Sequence, residues 1–452
     1  MSVSNSLTNT QGLLKLLIIL LSKSLGTHVY MKQEIGMISH LDNTSYKAFV
    51  GIDWANDKHD LCIQDPLTGK REFSVIKHEV NEIDKWVKGL HKRFGSPIAV
   101  AVELIRGPIV YALQRYDFIV IVPINPTTLA KYRTAFKPSK AKDDPTDAEF
   151  ALELMLRYPS HFPPLNQQSV NMRKLMFLVE HRRKVVDDKQ RVVNQMINAI
   201  KQYYPQANEW FCKKDTHIFC DFIARWPSIQ QAKKSHKSTL VKFFNDHGIH
   251  DVTVVDHRVS LIKEAKPLTD DKAVIDSHTM LVTFYVERIV NSMKCIQEYN
   301  KSILKLMDKL PDAPIFTSLP GAGAALSSRL LAAFGEQRDR FKSANEVQQY
   351  AGIAPVTERS GQKSWVHWRW QCSTFLRQTF IEWASHSRLK SYWANLYYLQ
   401  QREKGSSHQA AIRALAFKWI RIVYKCWQDG KPYNETQYLR ALKDRGSPLI
   451  LG

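Results

Sequence analysis

Apolar and polar positions follow a fixed succession of periods through the first third of the chain. Lys47 to Trp54 carries a β pattern, and its apolar run Phe49-Val50-Gly51-Ile52 is closed by Asp53. Lys58 to Gln64 and Glu72 to Lys77 read as a second and a third strand, with the turn residues Asp65-Pro66-Leu67-Thr68-Gly69 between them. From Glu79 to Phe94 the period changes: Val80, Ile83, Trp86, Val87 and Leu90 recur at helical spacing. The unbroken run Ile98 to Val102 reads as a buried strand and ends at Glu103. A helix from Pro108 to Tyr116, a strand from Phe118 to Val122 and a short helix from Pro126 to Phe136 follow. After the basic stretch Lys137-Pro138-Ser139-Lys140-Ala141-Lys142, an acidic helix runs to Tyr158, and Pro159, Pro163 and Pro164 close the segment.

Three hairpin-like strands, then helix, strand, helix, strand, predict an α/β domain of the RNase H-like (RuvC-like) kind over residues 46–160. Its first strand would be central and carry Asp53, and a neighbouring strand would end at Glu103. A doubly wound nucleotide-binding fold is the competitor, but it wants a glycine-rich loop after its first strand, and Asp53-Trp54-Ala55-Asn56-Asp57 is not one.

The remainder reads as helical. Over 165–310, Met172, Leu175, Met176, Val179, Val186, Val193, Met196, Ile197 and Ile200 mark one long helix. Leu281, Phe284, Val286, Ile289, Met293, Ile296, Ile303 and Leu306 mark a second, together predicting an antiparallel, coiled-coil-like pair. Val252-Thr253-Val254-Val255 between them is strand-like, and the many histidines of this stretch lack metal-ligand spacing. Pro311 and Pro314 open a mainly helical domain over 311–435. In it, Leu319-Pro320-Gly321-Ala322-Gly323 leads into a helix in the manner of a helix-hairpin-helix element. A glycine-tight turn without any ligand is the plainer reading of those residues. A helix from Thr374 to Ser387 and another from Ala410 to Trp427 complete the domain. The run Trp365-Val366-His367-Trp368-Arg369-Trp370 alternates aromatic and basic residues, suited to stacking on bases or to covering a core.

Composition adds one departure from the ordinary. The chain has 452 residues, 44% of them hydrophobic, so it is globular protein of two or three domains. Its net charge of +21, however, favours a polyanionic partner, nucleic acid being the commonest, beside the plainer reading of a solvated basic surface. Six scattered cysteines without a CxxC pair argue against a zinc ribbon or a disulfide framework and fit a reducing, cytoplasmic setting. Leu13 to Leu21 is too short and too interrupted, by Lys15, to span a bilayer; residues 1–45 read as a non-essential extension, with Met31 and Met37 as alternative starts.

Candidate chemistry centres on Lys142-Asp143-Asp144-Pro145-Thr146-Asp147-Ala148. Pro145 suits a first helical turn, and an i, i+3 spacing sets Asp144 and Asp147 on one helix face. Alone, the pair is best read as acids complementing a helix N-terminus. With Asp53 and Glu103 at two strand ends it becomes four carboxylates that repel unless a divalent cation lies between them, the parts of a two-metal phosphoryl-transfer site. Asp143, out of register, is expected to face outward.

With both ends read, the chain resembles the DEDD insertion-sequence transposases, the group described as bridge-RNA-guided DNA recombinases. The resemblance spans most of residues 46–430. It is carried by Gly51-Ile52-Asp53, Val102-Glu103, Lys142 to Ala148, Pro320-Gly321-Ala322-Gly323, Tyr350-Ala351-Gly352-Ile353-Ala354-Pro355, Ser360-Gly361 and Leu376-Arg377. The segment Trp368-Arg369-Trp370-Gln371-Cys372 departs from the glycine-rich, basic character of the family. The resemblance implies that Asp53, Glu103, Asp144 and Asp147 bind Mg2+ or Mn2+ and that Ser360 is the nucleophile, leaving a 5′-phosphoserine and a free 3′-OH. It further implies a noncoding guide (bridge) RNA, DNA ends and target as substrates, and a dimer or tetramer with a composite site near the nucleoid, away from any membrane. Two rivals stand beside it. A RuvC-like nuclease that uses water explains the acids and makes Ser360 incidental, whereas a non-catalytic nucleic-acid-binding scaffold explains only the charge.

Overall fold

A five-stranded mixed sheet organises the first part of the molecule. The computed structural model describes residues 45–137, 144–447 and 449, and they divide into one compact unit up to Gln167 and a second from Gln168. The expectations for the N-terminal extension, the basic stretch before the acidic helix, Lys142 and Asp143 lie outside the described residues.

In the first unit β1 (Ala48–Trp54), β2 (Lys58–Gln64), β3 (Arg71–Lys77), α1 (Val80–Phe94), β4 (Ile98–Val102), α2 (Pro108–Leu113), β5 (Ile119–Pro123), α3 (Pro126–Phe136) and α4 (Asp144–Arg157) follow in order. The sheet runs β3-β2-β1-β4-β5, so β1 is central. Its β2 and β3 side is antiparallel, and its β4 and β5 side is parallel. Alternation along β1 sends Val50 and Ile52 to one face, against Ile83, Val87, Ile109 and Leu113 of α1 and α2. Phe49 faces the other way, where Ala148, Ala151, Leu152 and Met155 of α4 pack. Covered on both faces, β1 as far as Ile52 and the whole of β4 are apolar, which is why their runs show no alternation in the sequence.

The second unit is helical apart from one hairpin. Its elements are α5 (Val170–Ile200), α6 (Pro205–Trp210), α7 (His217–Arg225), α8 (Ile229–Lys234), α9 (Lys237–Asp246), α10 (Val252–Glu264) and α11 (Lys272–Met307). Then come α12 (Ala313–Thr317), α13 (Gly323–Phe334), α14 (Ala344–Tyr350), β6 (Val356–Ser360), β7 (Lys363–His367), α15 (Thr374–Ser387), α16 (Tyr392–Glu403), α17 (His408–Asp429) and α18 (Glu435–Asp444). Among the described residues no helix is long and apolar enough to cross a membrane.

Two expectations are corrected here. The long helices α5 and α11 pair antiparallel but form no coiled coil. Buried positions on α5 stop at Val179 and resume at Val192, and on α11 they stop at Ile289 and resume at Ile303. Each helix thus serves two separate cores, one built with α12–α17 and one with α7–α10, instead of a continuous seam. The run Val252 to Val255 is the first turn of α10, not a strand. Asp251 accepts the amide protons of Thr253 and Val254, and Val255, Val259 and Ile262 then fall on one buried face.

The Pro-Gly-x-Gly turn joins α12 to α13, with Gly321 at φ 73°. A Cβ at Gly321 would lie 2.7 Å from the His386 backbone carbon, so packing against the end of α15 already demands glycine there.

Candidate active site

The C-terminal end of β1 gathers the acids. Ile52 pairs in parallel register with Val102, so Asp53 and Glu103 leave adjacent strands side by side. At Gly51 a Cβ would stand 2.0 Å from the Ala148 carbonyl oxygen, which means that α4 crosses β1 in direct backbone contact. Arg71, at the far end of the β2–β3 ladder, pairs with Glu149 at 2.6 Å and Glu153 at 3.1 Å. Lys58, at the near end, reaches Asp144 at 3.9 Å. The helix therefore starts over the end of β1 that carries Asp53 and runs back across the sheet.

Three carboxylates face one cation there. The Lys58 ammonium lies 3.2 Å from Asp60, and its pKa is raised, first by the hydrogen bond and charge of Asp60 and further by the charges of Asp144 and Asp53. Asp60 stands directly across the β1–β2 ladder from Asp53 and is 5% exposed. Neither Lys58 nor Asp60 is legible as a site residue from the sequence. The available signal is their place in the strand that follows β1 after a short turn, whose third residue, Asp60, falls opposite Asp53 in the observed register.

Asp147 is placed differently from Asp144. It is 1% exposed and accepts from Arg133 Nε of α3 at 2.5 Å, whereas Asp144 is half-exposed. The i, i+3 pair thus shares a helix face but divides between two partners. Among the described residues no three acid, histidine or cysteine side chains are closed into a coordination shell. The donors at the end of β1 are all carboxylate oxygens, which suits a hard divalent cation, and an ammonium already sits among them. Arg133 and a cation would compete for the charge of Asp147, whose Oδ1 accepts from Arg133.

The turn that presents Asp53 is braced from beneath. Buried His59 accepts the Ala55 amide proton on Nδ1 at 3.3 Å, and its Nε2 is 2.8 Å from Nδ1 of His78. Burial, followed by the His78 charge, pushes the His59 pKa down to about 4, so the ring is neutral.

Ser360 is in the second unit. It is the last residue of β6, exposed, opposite Lys363 across the two-residue turn Gly361-Gln362, with Gly361 at φ 57°. Ser364 is exposed on β7. Ser373 caps α15 by accepting the Leu376 amide proton. Of the three indoles, Trp365 and Trp370 are 45% and 81% exposed, and Trp368 is half-buried.

Comparison with known proteins points the same way as this geometry. Residues 50–205 match a family described as a transposase of the DEDD, IS110 kind, and residues 313–399 match the transposase family IS116/IS110/IS902. A mini-circle putative transposase for IS117 from Streptomyces coelicolor is 28% identical over 402 residues, covering 87% of this chain and 97% of that protein. An uncharacterized 44.8 kDa protein of insertion element IS116 from Streptomyces clavuligerus is 21% identical over 389 residues, or 85% of this chain and 95% of its own length. An uncharacterized 43.6 kDa protein of insertion element IS110 from Streptomyces coelicolor is 22% identical over 305 residues, 66% of this chain and 73% of its own length.

Proposed function

Because this chain belongs to the IS110 family of DEDD transposases of insertion sequences, we propose that it cuts and rejoins DNA through a carboxylate site and a serine nucleophile. The observation that carries this reading is the convergence of Asp53, Asp60 and Asp144 on Lys58 at the C-terminal end of the central strand, with Glu103 on the adjacent strand. The strand order supports an RNase H-like assignment for the first unit. In this reading Asp53, Glu103, Asp144 and Asp147 hold Mg2+ or Mn2+, with Arg133 competing for Asp147. When bound, the ion offsets phosphate charge and stabilises the leaving oxygen.

The chain's own groups do the rest. The Ser360 hydroxyl loses its proton to a carboxylate, its Oγ forms a bond to phosphorus, and the bond from phosphorus to the 3′ oxygen breaks, with a proton completing the free 3′-OH. A 5′-phosphoserine remains, and its attack by another strand's 3′-OH restores the serine and joins DNA without net loss of a phosphoester. The surplus of Lys and Arg holds phosphates. A noncoding RNA that selects the target by base pairing, and a dimer or tetramer with a composite site, complete the reading on the strength of the family resemblance.

Strand cleavage and joining in magnesium test it. Asp53→Asn is expected to lose both by at least a hundredfold while binding DNA as before, because binding rests on the basic surface. Cleavage retained by Asp53→Asn overturns the carboxylate site. An exposed serine beside a hairpin glycine is also ordinary turn chemistry, and that favours the nuclease as second reading. Cleavage retained by Ser360→Ala, with joining lost, selects it.

A further inference from the structure

Beyond the acids and the serine, the second unit holds a cluster of guanidiniums that have no counter-charge among the described residues. Trp368, one residue past the end of β7, has two guanidiniums on its ring: that of Arg413 of α17, its carbon 3.5 Å from the centroid, and that of Arg377 of α15 at 4.7 Å. Arg369, next in sequence, donates to the Ala354 carbonyl at 3.1 Å. Arg377 donates to the Arg369 carbonyl and to the Cys372 sulfur. Gly352 locks this loop in place, since a Cβ there would lie 2.2 Å from Cys372 Sγ.

The cluster is fixed but not neutral. Among the described residues, Arg369, Arg377 and Arg413 form no ion pair with a carboxylate, and the buried Nε atoms of Arg377 and Arg413 have no hydrogen-bond partner. The Arg413 pKa is lowered by burial first and by the Arg377 charge second. An indole orients two guanidiniums but cannot cancel their charge. An anion with several acceptor oxygens can. The forked, planar donors of arginine match a phosphate bidentately and stack on an aromatic ring at the same time.

We propose that Trp368, Arg377 and Arg413 form a clamp for a DNA backbone phosphate at the base of the serine hairpin. The inference rests on the reading that this unit handles DNA. It names a phosphate other than the one that Ser360 attacks. Ser360 pairs with Lys363 at the tip of the hairpin and Val356 pairs with His367 at its base. That is four strand steps, about 14 Å, or about four nucleotides at roughly 3.4 Å of rise each. The exposed Trp365 and Trp370 on either side offer faces on which bases stack.

The test is made in a Ser360→Ala background, so that it does not depend on whether Ser360 attacks DNA. Affinity for labelled duplex DNA is measured from about 50 to about 200 mM salt for this parent, for Arg413→Leu and Arg413→Gln, and for Arg413→Lys. Arg413 makes no hydrogen bond within the described protein, and leucine keeps an apolar contact on Trp368. Arg413→Leu and Arg413→Gln are expected to bind about tenfold more weakly. Their slopes of log affinity against log salt should be shallower by about 0.9, the signature of one lost phosphate contact. Arg413→Lys, which keeps the charge and loses the fork, should weaken binding with the parent's slope. A slope unchanged in the leucine and glutamine variants, or a loss seen with duplex RNA of the same sequence and not with DNA, overturns the proposal. Failure to trap DNA on Ser360 itself would overturn the nucleophile and leave this result standing.

Discussion

Asp53 and Asp60 stand directly opposite each other on the β1–β2 ladder, with the Lys58 ammonium 3.2 Å from Asp60. Residues so paired project to the same face of the sheet, and like charges there destabilise each other unless a cation intervenes. Lys58→Met removes the ammonium and leaves Asp53, Asp60 and Asp144 facing one another. The variant is expected to melt below the parent in chelator, and magnesium should raise its melting temperature more than the parent's. Equal shifts in parent and variant would contradict the view that this end of the sheet attracts a cation.

His59 sets a pH dependence. Its folded-state pKa of about 4 lies below the ordinary value of 6.5, so between those limits the unfolded chain binds the extra proton. Stability from this group is therefore complete above about pH 6.5 and is lost as pH falls toward 4, by about 3 kcal/mol in all. Urea unfolding at neutral and acid pH measures it, and His59→Gln should flatten this part of the profile. A profile as steep in His59→Gln as in the parent would place the titration elsewhere.

Arg133 and Asp147 form the least exposed ion pair at the acid end, with Asp147 1% and Arg133 22% exposed in their side chains. Arg133→Met strands a buried carboxylate and should cost about 2–4 kcal/mol. Adding Asp147→Asn should recover part of that loss, because the stranded charge disappears. Additive losses in a double-mutant cycle would mean that the two groups are not coupled.

Gly51 sets the spacing between α4 and β1. With a Cβ required to stand 2.0 Å from the Ala148 carbonyl oxygen, Gly51→Ala must push the helix off the sheet. Chemical unfolding should show a loss of at least about 2 kcal/mol, and cleavage should fall with it because Asp144 and Asp147 ride on that helix. A stable, active Gly51→Ala protein would contradict the crossing described here.

The sequence reveals elements whose ends carry their own chemistry. β2 at Lys58–Gln64, β4 at Ile98–Val102, α3 at Pro126–Phe136 and α15 at Thr374–Ser387 all have the expected bounds. The Asn125 and Ser373 caps and the turn at Asp65 to Gly69 punctuate three of them. Val252 to Val255 was open to misreading because β-branched residues favour strands, and a single cap at Asp251 decided otherwise. β6 is exposed along most of its length and shows no alternation to find. At the site, the type and position of Asp53, Glu103, Asp144 and Asp147 are legible as acids at element ends. Their counterions are not, since Lys58 meets Asp144 and Arg133 meets Asp147 only through tertiary packing.

Covalent trapping tests the proposed chemistry most directly. Water as nucleophile leaves no protein–DNA adduct, whereas an attacking side chain must. A DNA substrate nicked near the cleavage point lets the leaving fragment diffuse away and should trap a complex that survives denaturation. Peptide mapping should then place the 5′-phosphate on Ser360. Ser364, exposed on the same hairpin, and Ser373, engaged in capping α15, are the internal controls. An adduct on either of them, one that persists in Ser360→Ala, or intact cleavage with no adduct at all, would contradict the account.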